Sequence, residues 1–210
     1  MDALDQLAEP AHELLSRVDG TLTRCGAPAS HPVWPLLRRV RALPGAAVGA
    51  LTELRPGPLA AAGWPLRSIA SGYREATPTR ADEWQGAAAD QFAAQWSTVC
   101  AHGDSLSGRL SDTDRYLSAV ATWLAGARRT VAGTLAAALV STEAVRVRTA
   151  AEEESALAAA DLAAHVLAAV ARVYEEVTPL VEEWSPRLTE APFRSGDPSG
   201  PPPGRTEVVP

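Results

Sequence analysis

The chain has 210 residues and a formal net charge of −6 at pH 7, and its basic residues are arginines with no lysine. This balance argues against broad binding to nucleic acid, because a polyanion is held mainly by basic surface. Hydrophobic residues make up 46% of the chain and aromatic residues only 5%. Much of the apolar content is alanine, a strong helix former, so we predict an all-α protein with a sizeable core.

Residues 1–56 are predicted to be an N-terminal helical segment. Apolar residues at helical spacing predict an amphipathic helix over residues 3–24, and a proline-rich connection follows it. A short basic helix over 34–41 and an apolar piece over 46–54 complete the segment. We expect the arginines of the basic helix to pair with acidic faces elsewhere in the chain. The alternative is contact with an anionic membrane or an acidic partner.

Residues 57–186 are predicted to hold the main helices. A helix is expected to begin near Pro58 and to be interrupted at Pro78, because proline removes a backbone donor. From Phe92 to Val131, apolar residues alternate four and three apart, which is the period of helices that wrap around each other. This stripe is either one long helix or two helices joined near residues 103–111.

A second stripe with the same period runs from Ala159 to Trp184. If the chain folds back between the two stripes, we expect the boundary between Val140 and Ser155. Residues 187–210 are rich in proline, glycine and polar residues, so this tail is predicted to be disordered.

The most informative motif is Trp84-Gln85-Gly86, which lies between two helical stretches. Glycine tolerates a backbone bend, and a tryptophan ring can pin two helix arms together. Asp82 or Glu83 is expected to cap the helix that follows. Phe92 and Trp96 then open the apolar stripe, so the motif predicts a bend between two antiparallel helices.

Over roughly residues 57–130 the chain resembles the WXG superfamily of type VII (ESX-type) secretion proteins. The resemblance implies a hairpin that pairs with a second hairpin into a four-helix bundle, with Trp84 and Gly86 at the turn. It predicts an elongated helical bundle with extra flanking helices and dimerisation with itself or a WXG-like protein. The candidate partner contacts are Phe92, Trp96, Leu117, Val120, Leu124, Val166, Val170, Val173 and Val177.

The resemblance implies a non-enzymatic secretion substrate or accessory protein, with a type VII secretion ATPase as a further partner. The chain is longer than the minimal members, and none of its three tyrosines begins the Tyr-x-x-x-Asp/Glu export signal. Either a partner supplies the signal, or the protein is not exported. The alternative is therefore a cytosolic helical scaffold or chaperone-like adaptor.

No stretch of the sequence predicts a catalytic, cofactor or metal site. His12, His31, His102 and His165 lack metal-binding spacing and are expected to be exposed or capped helix residues. Cys25 and Cys100 are expected to be small buried thiols, or else to bridge the N-terminal segment to the hairpin.

No secretory signal is evident, and the most apolar stretch, residues 117–140, contains Arg128 and Arg129. We therefore expect no stable membrane insertion. The protein is expected to be cytoplasmic as synthesised and then, by the resemblance, to be secreted by a type VII system.

Overall fold

The computed structural model describes residues 2–75 and 85–189, which contain seven helices and no strand. The predicted all-α class is confirmed. The expectations for Pro78, Asp82, Glu83, Trp84 and residues 190–210 lie outside the described residues. The helices are α1 (Ala3–Cys25), α2 (Val33–Val40), α3 (Pro44–Glu53), α4 (Pro56–Glu75), α5 (Ala87–Leu139), α6 (Thr142–Thr149) and α7 (Glu152–Leu188).

Helix α1 forms where the apolar spacing predicts it. Asp2 caps its first turn by accepting a hydrogen bond from the Asp5 backbone N–H at 3.0 Å, and the Asp5 carboxylate accepts from the Asp2 N–H at 3.1 Å. This reciprocal arrangement satisfies two backbone donors that have no partner inside the helix. The buried side of α1 is formed by Leu4, Ala11, Leu14, Leu15, Val18, Thr21 and Leu22.

Helices α2 and α3 complete the N-terminal segment. The predicted basic helix corresponds to α2, and Arg39 on it pairs with Glu175 of α7, as expected for a surface helix. Pro44 is the first residue of α3, where its missing N–H costs nothing. Leu43, the residue before α3, gives no side-chain cap, and Asp19 of α1 accepts hydrogen bonds from the Gly45 N–H instead.

Helix α5 is one continuous helix of 53 residues, which settles the choice between one helix and two. It ends at Leu139, and α6 leaves it at an angle of 63°. Ser141 caps α6 by accepting from the Ala144 N–H at 3.1 Å. After α6 the chain turns back into α7, so the predicted boundary between residues 140 and 155 is confirmed.

The core lies where α1, α5 and α7 pack together, and α2, α3 and α6 add to it. Trp123 of α5 donates to the Val173 carbonyl of α7 at 3.3 Å, and Tyr116 contacts Trp184 further along. The residue numbers fall on α5 as they rise on α7, so these two helices are antiparallel. The N-terminal segment therefore shares one core with the helices that follow it.

Helix α4 packs along the N-terminal half of α5. Ser107 donates to the Ala70 carbonyl at 3.2 Å, and Arg67 pairs with Asp114 at 2.6 Å. Because these contacts pair lower numbers on α4 with higher numbers on α5, the two helices are antiparallel. Gly86 precedes α5 with φ +107°, a conformation that side chains rarely adopt.

Candidate interaction surface

Large apolar side chains are exposed together on the α4–α5 pair. Ile69 and Tyr73 of α4 are 49% and 48% exposed, and Phe92 and Val99 of α5 are 52% and 57% exposed. Phe92 also stacks on Trp96, which is half-buried, with ring centroids 6.2 Å apart. We call this surface the arm face, defined by Ile69, Tyr73, Phe92, Trp96, Val99 and the half-buried Leu106.

Helical geometry places these residues on one side of the pair. Phe92, Val99 and Leu106 are seven residues apart and so lie on one stripe of α5, and Ile69 and Tyr73, four apart, share a side of α4. Because the two helices are antiparallel with Ala70 beside Ser107, the α4 stripe and the α5 stripe fall on the same side of the pair.

The described positions that line the arm face are all uncharged: Ala62, Leu66, Ile69, Tyr73, Ala88, Phe92, Gln95, Trp96, Val99, Gly103, Leu106 and Leu110. The opposite side of α5 has polar and charged residues, which include Asp90, Ser97, Asp104, Asp112 and Arg115. Helix α5 is therefore amphipathic over this stretch, which is typical of a protein-interaction surface.

The apolar stripe of α5 is covered by the chain itself in its C-terminal half. Leu124, Val131 and Leu135 are buried, and α7, α1 and α3 pack against this part of α5. Leu117 and Val120 are half-buried at the transition. The same stripe is thus core at one end and exposed surface at the other.

The predicted partner contacts on α7 are largely covered by the chain's own helices. Val166, Val170 and Val173 are fully buried, because α1 and α5 pack on them, and Val177 is half-buried. Leu124 of α5 is also buried, in the core that α5 forms with α1 and α7. Of the predicted contacts, Phe92 and Trp96 lie on the arm face.

Arg128 is the polar residue whose role the sequence did not indicate. Its guanidinium donates to Asp2 at 2.6 and 3.0 Å and to Asp5 at 2.6 Å. It also donates to the carbonyls of Leu51, Thr52 and Leu54. Arg128 therefore joins the start of α1 and the end of α3 to the middle of α5.

The charges around Arg128 stabilise each other. Its hydrogen bonds hold the pKa of Asp2 well below the usual range, although burial opposes this. The pKa of Asp5 is also lowered, first by the Asp2 backbone N–H and further by Arg55 and Arg128. The pKa of Arg128 is raised, with its hydrogen bond to Asp2 as the first cause. A buried arginine with several acceptors is thus satisfied rather than poised for chemistry.

His31 is the histidine that departs from the expectation of exposure. It is buried, and its Nε2 lies 3.0 Å from Asp161 Oδ1. Its Nδ1 accepts the Val33 backbone N–H at 3.2 Å, so Nε2 carries the proton and donates to Asp161. Both ring nitrogens are engaged, which leaves neither free to act as a catalytic base.

The cysteines also differ from the expectation. Cys25 is exposed at the end of α1, Cys100 is half-buried on α5, and both are free thiols. Within the described ranges, no three histidine, cysteine, aspartate or glutamate side chains are grouped to hold a metal ion.

Among the described helices, α7 alone is long and apolar enough by itself to cross a membrane, rather than the stretch over residues 117–140. In the most apolar 18-residue stretch of α7, 61% is buried inside the protein. The length and composition of α7 thus fit the core helix that it forms here.

No protein-family model, curated protein or solved structure matches this chain.

Proposed function

We propose that this chain is a non-enzymatic protein that acts by pairing its α4–α5 arms with another helical protein. The observation that carries the proposal is the arm face, an uncharged apolar surface on two adjacent antiparallel helices. Burying such a face removes apolar area from water, worth about 25 cal/mol per Å² before the costs of association. A helical partner matches its length and shape.

The system in which the chain acts is proposed from the resemblance of Trp84-Gln85-Gly86 to the WXG superfamily. It is a type VII (ESX-like) secretion substrate or accessory protein, cytoplasmic as synthesised, which pairs with a small WXG-type protein and engages the secretion ATPase. The partner carries the export signal, since this chain contains no Tyr-x-x-x-Asp/Glu sequence.

The test of pairing mixes the purified chain with a small WXG-type protein and measures the mass by light scattering. We expect a one-to-one complex that Val99→Glu weakens at least tenfold in Kd, because the substitution buries a charge in the interface. The matched control is Ser97→Glu, which adds the same charge to the exposed opposite side of α5. An unchanged mass on mixing, or equal effects of the two variants, contradicts pairing through the arm face.

A second candidate function is a helical scaffold or chaperone-like adaptor that stays inside the cell. The missing export signal in this chain favours it. The two functions separate in a culture-supernatant assay, with and without the secretion ATPase. ATPase-dependent appearance of the chain in the supernatant supports secretion, and retention of an intact, partner-bound chain in the cells supports the adaptor.

A further inference from the structure

We infer that a groove along α7 binds an elongated zwitterion with an apolar middle, whose ammonium end lies at Glu143 and Asp161 and whose carboxylate end lies at Arg172. The groove has a volume of about 860 Å³, which is within the range of small-molecule sites. Among the described residues, none lines both this groove and the arm face. Ligand binding here is therefore separate from the helical pairing proposed above.

Helix α7 forms the floor of the groove. Asp161, His165, Ala168 and Arg172 all line it and are spaced four, three and four residues apart, so they lie on one side of α7. Helix α2 borders the groove on one side, and the end of α5 borders it on the other. Glu143, in the first turn of α6, also lines it. Three parts of the chain that are distant in sequence thus build one cavity.

The two ends of the groove carry opposite charges. Because α5 and α7 are antiparallel, the end of α5 and the start of α6 lie beside the first half of α7, which places Glu143 at the same end as Asp161. The His31 ring binds Oδ1 of Asp161 and fixes this carboxylate, whose second oxygen can accept from an ammonium group. Arg172 lies about three helical turns further along α7, where its exposed guanidinium can donate two parallel hydrogen bonds to a carboxylate.

The middle of the groove is apolar and lined by small side chains. Ala168 is exposed there, and Leu36 and Ala164 are half-buried. From Asp161 to Arg172, α7 rises about 16 Å, and the long arginine side chain leans back towards the start of the helix, so the charged groups lie roughly 10 Å apart. An extended tripeptide also spans about 10 Å. A tripeptide with apolar side chains and an ω-amino acid of the same length both match this spacing.

Ligands with a charge at only one end fit the groove less well. A fatty acid would place hydrocarbon against the carboxylates of Glu143 and Asp161, and a diamine would place an ammonium group against Arg172. Each arrangement removes water from a charged side chain without giving it a partner of opposite charge. A zwitterion avoids both costs, so the groove selects for it.

The experiment titrates the full chain with 8-aminooctanoate and, separately, with trileucine, and follows the NMR chemical shifts of the backbone amides. We expect a Kd between about 10 µM and 1 mM, with shifts concentrated over residues 161–172. Octylamine and octanoate, which each lack one charged end, should bind at least tenfold more weakly. Tighter binding of trileucine identifies a peptide as the ligand, tighter binding of 8-aminooctanoate identifies an ω-amino acid, and both results support the inference.

Substitutions separate the contribution of each end. Arg172→Gln should weaken the binding of 8-aminooctanoate at least tenfold and leave that of octylamine within about twofold. The matched control is Arg38→Gln, which removes the same charge from an exposed position two residues after Leu36, and hence from the opposite side of α2. Arg38→Gln and the arm-face variant Val99→Glu should each leave the Kd within about twofold. Circular dichroism checks that the variants are folded.

Three results overturn the inference. The first is the absence of shifts over residues 161–172 with up to about 5 mM of either zwitterion, a concentration well above the expected Kd. The second is binding of octylamine or octanoate as tight as that of 8-aminooctanoate. The third is an equal effect of Arg172→Gln and Arg38→Gln.

Discussion

Arg128 of α5 and Asp5 of α1 are joined by a hydrogen bond of 2.6 Å between Nη2 and Oδ1, with both side chains almost fully buried. The two residues are 123 positions apart in the sequence. Their contact holds the first turn of the chain on the middle of its longest helix. The N-terminal segment is thus a part of the core. The arm face lies on the part of α5 that this segment does not cover.

We expect Arg128→Ala to destabilise the protein by about 3–5 kcal/mol, because it removes the buried guanidinium that donates to two carboxylates and three carbonyls. The measurement is urea unfolding followed by circular dichroism. The control is Arg129→Ala, which removes an exposed arginine from the next position and should change the stability by less than about 0.5 kcal/mol. Equal effects of the two substitutions would show that the buried hydrogen bonds do not stabilise the fold.

The sequence predicted those parts of the fold that depend on local periodicity. The apolar spacing predicted α1 and the region where the chain turns back from α5 into α7, because a helix buries one stripe of its own residues. The hydrogen-bond partners of Arg128 could not be predicted, because they come from parts of the chain that are distant in sequence, the start of α1 and the end of α3.

The extent of the candidate interaction surface could not be predicted from the sequence either. The spacing of apolar residues is the same around Leu124, Val166 and Val170 as around Phe92 and Val99. This periodicity does not distinguish a stripe that the chain itself covers from one that is left for a partner. That distinction depends on where α1, α3 and α7 lie. Only the structure places them on the C-terminal half of α5 and leaves the N-terminal half exposed.

Asp19 should make the stability depend on pH. Burial beside α3 raises its pKa from 3.8 to about 6, although the hydrogen bond from Gly45 opposes this. Because the folded pKa lies above the unfolded value, the stability that Asp19 contributes is fully present below pH 4. It is lost as the pH rises through about 6.

Asp19→Asn tests this dependence, since the amide oxygen still accepts the Gly45 N–H and the group no longer ionises. As the pH rises from 4 to 8, the free energy of unfolding of the variant should increase by about 1–2 kcal/mol relative to that of the natural chain, after allowance for the partial exposure of Asp19. Urea unfolding at several pH values measures the difference. A difference that stays constant over this range would mean that Asp19 titrates alike in the folded and unfolded chains.

Gly63 of α4 leaves room for the side chain of Asp114 of α5. A Cβ atom at this position would overlap the Asp114 carboxylate, which is held by Arg67. We expect Gly63→Ala to destabilise the arm pair by about 1–3 kcal/mol, because Asp114 must move away. Hydrogen exchange of the α4 amides should become faster.

The matched control for this prediction is Gly72→Ala in the same helix, where an added Cβ meets no atom within 4 Å. Here alanine should stabilise α4 by about 0.5–1 kcal/mol, through its higher helix propensity. If both substitutions slow exchange in α4, the close approach at Gly63 does not limit the packing of the arms.

Trp184 holds the end of α7 against α5. Its ring is buried, lies 6.1 Å from the ring of Tyr116 and carries the Arg187 guanidinium at 5.0 Å. Pro179 and Pro186 remove backbone donors from this stretch of helix, so its position depends strongly on side-chain packing. Trp184→Ala is expected to destabilise the protein by about 3 kcal/mol, with the loss concentrated near the end of α7.

Limited proteolysis and hydrogen exchange over residues 177–188 measure this effect. Trp64→Ala is the control, because Trp64 is 69% exposed on α4 and its removal leaves no cavity. Faster exchange confined to the end of α7 in the Trp184 variant would show that this helix is secured by its aromatic contact with Tyr116. Unchanged exchange there would mean that the burial of Val166, Val170 and Val173 further along α7 already fixes its whole length.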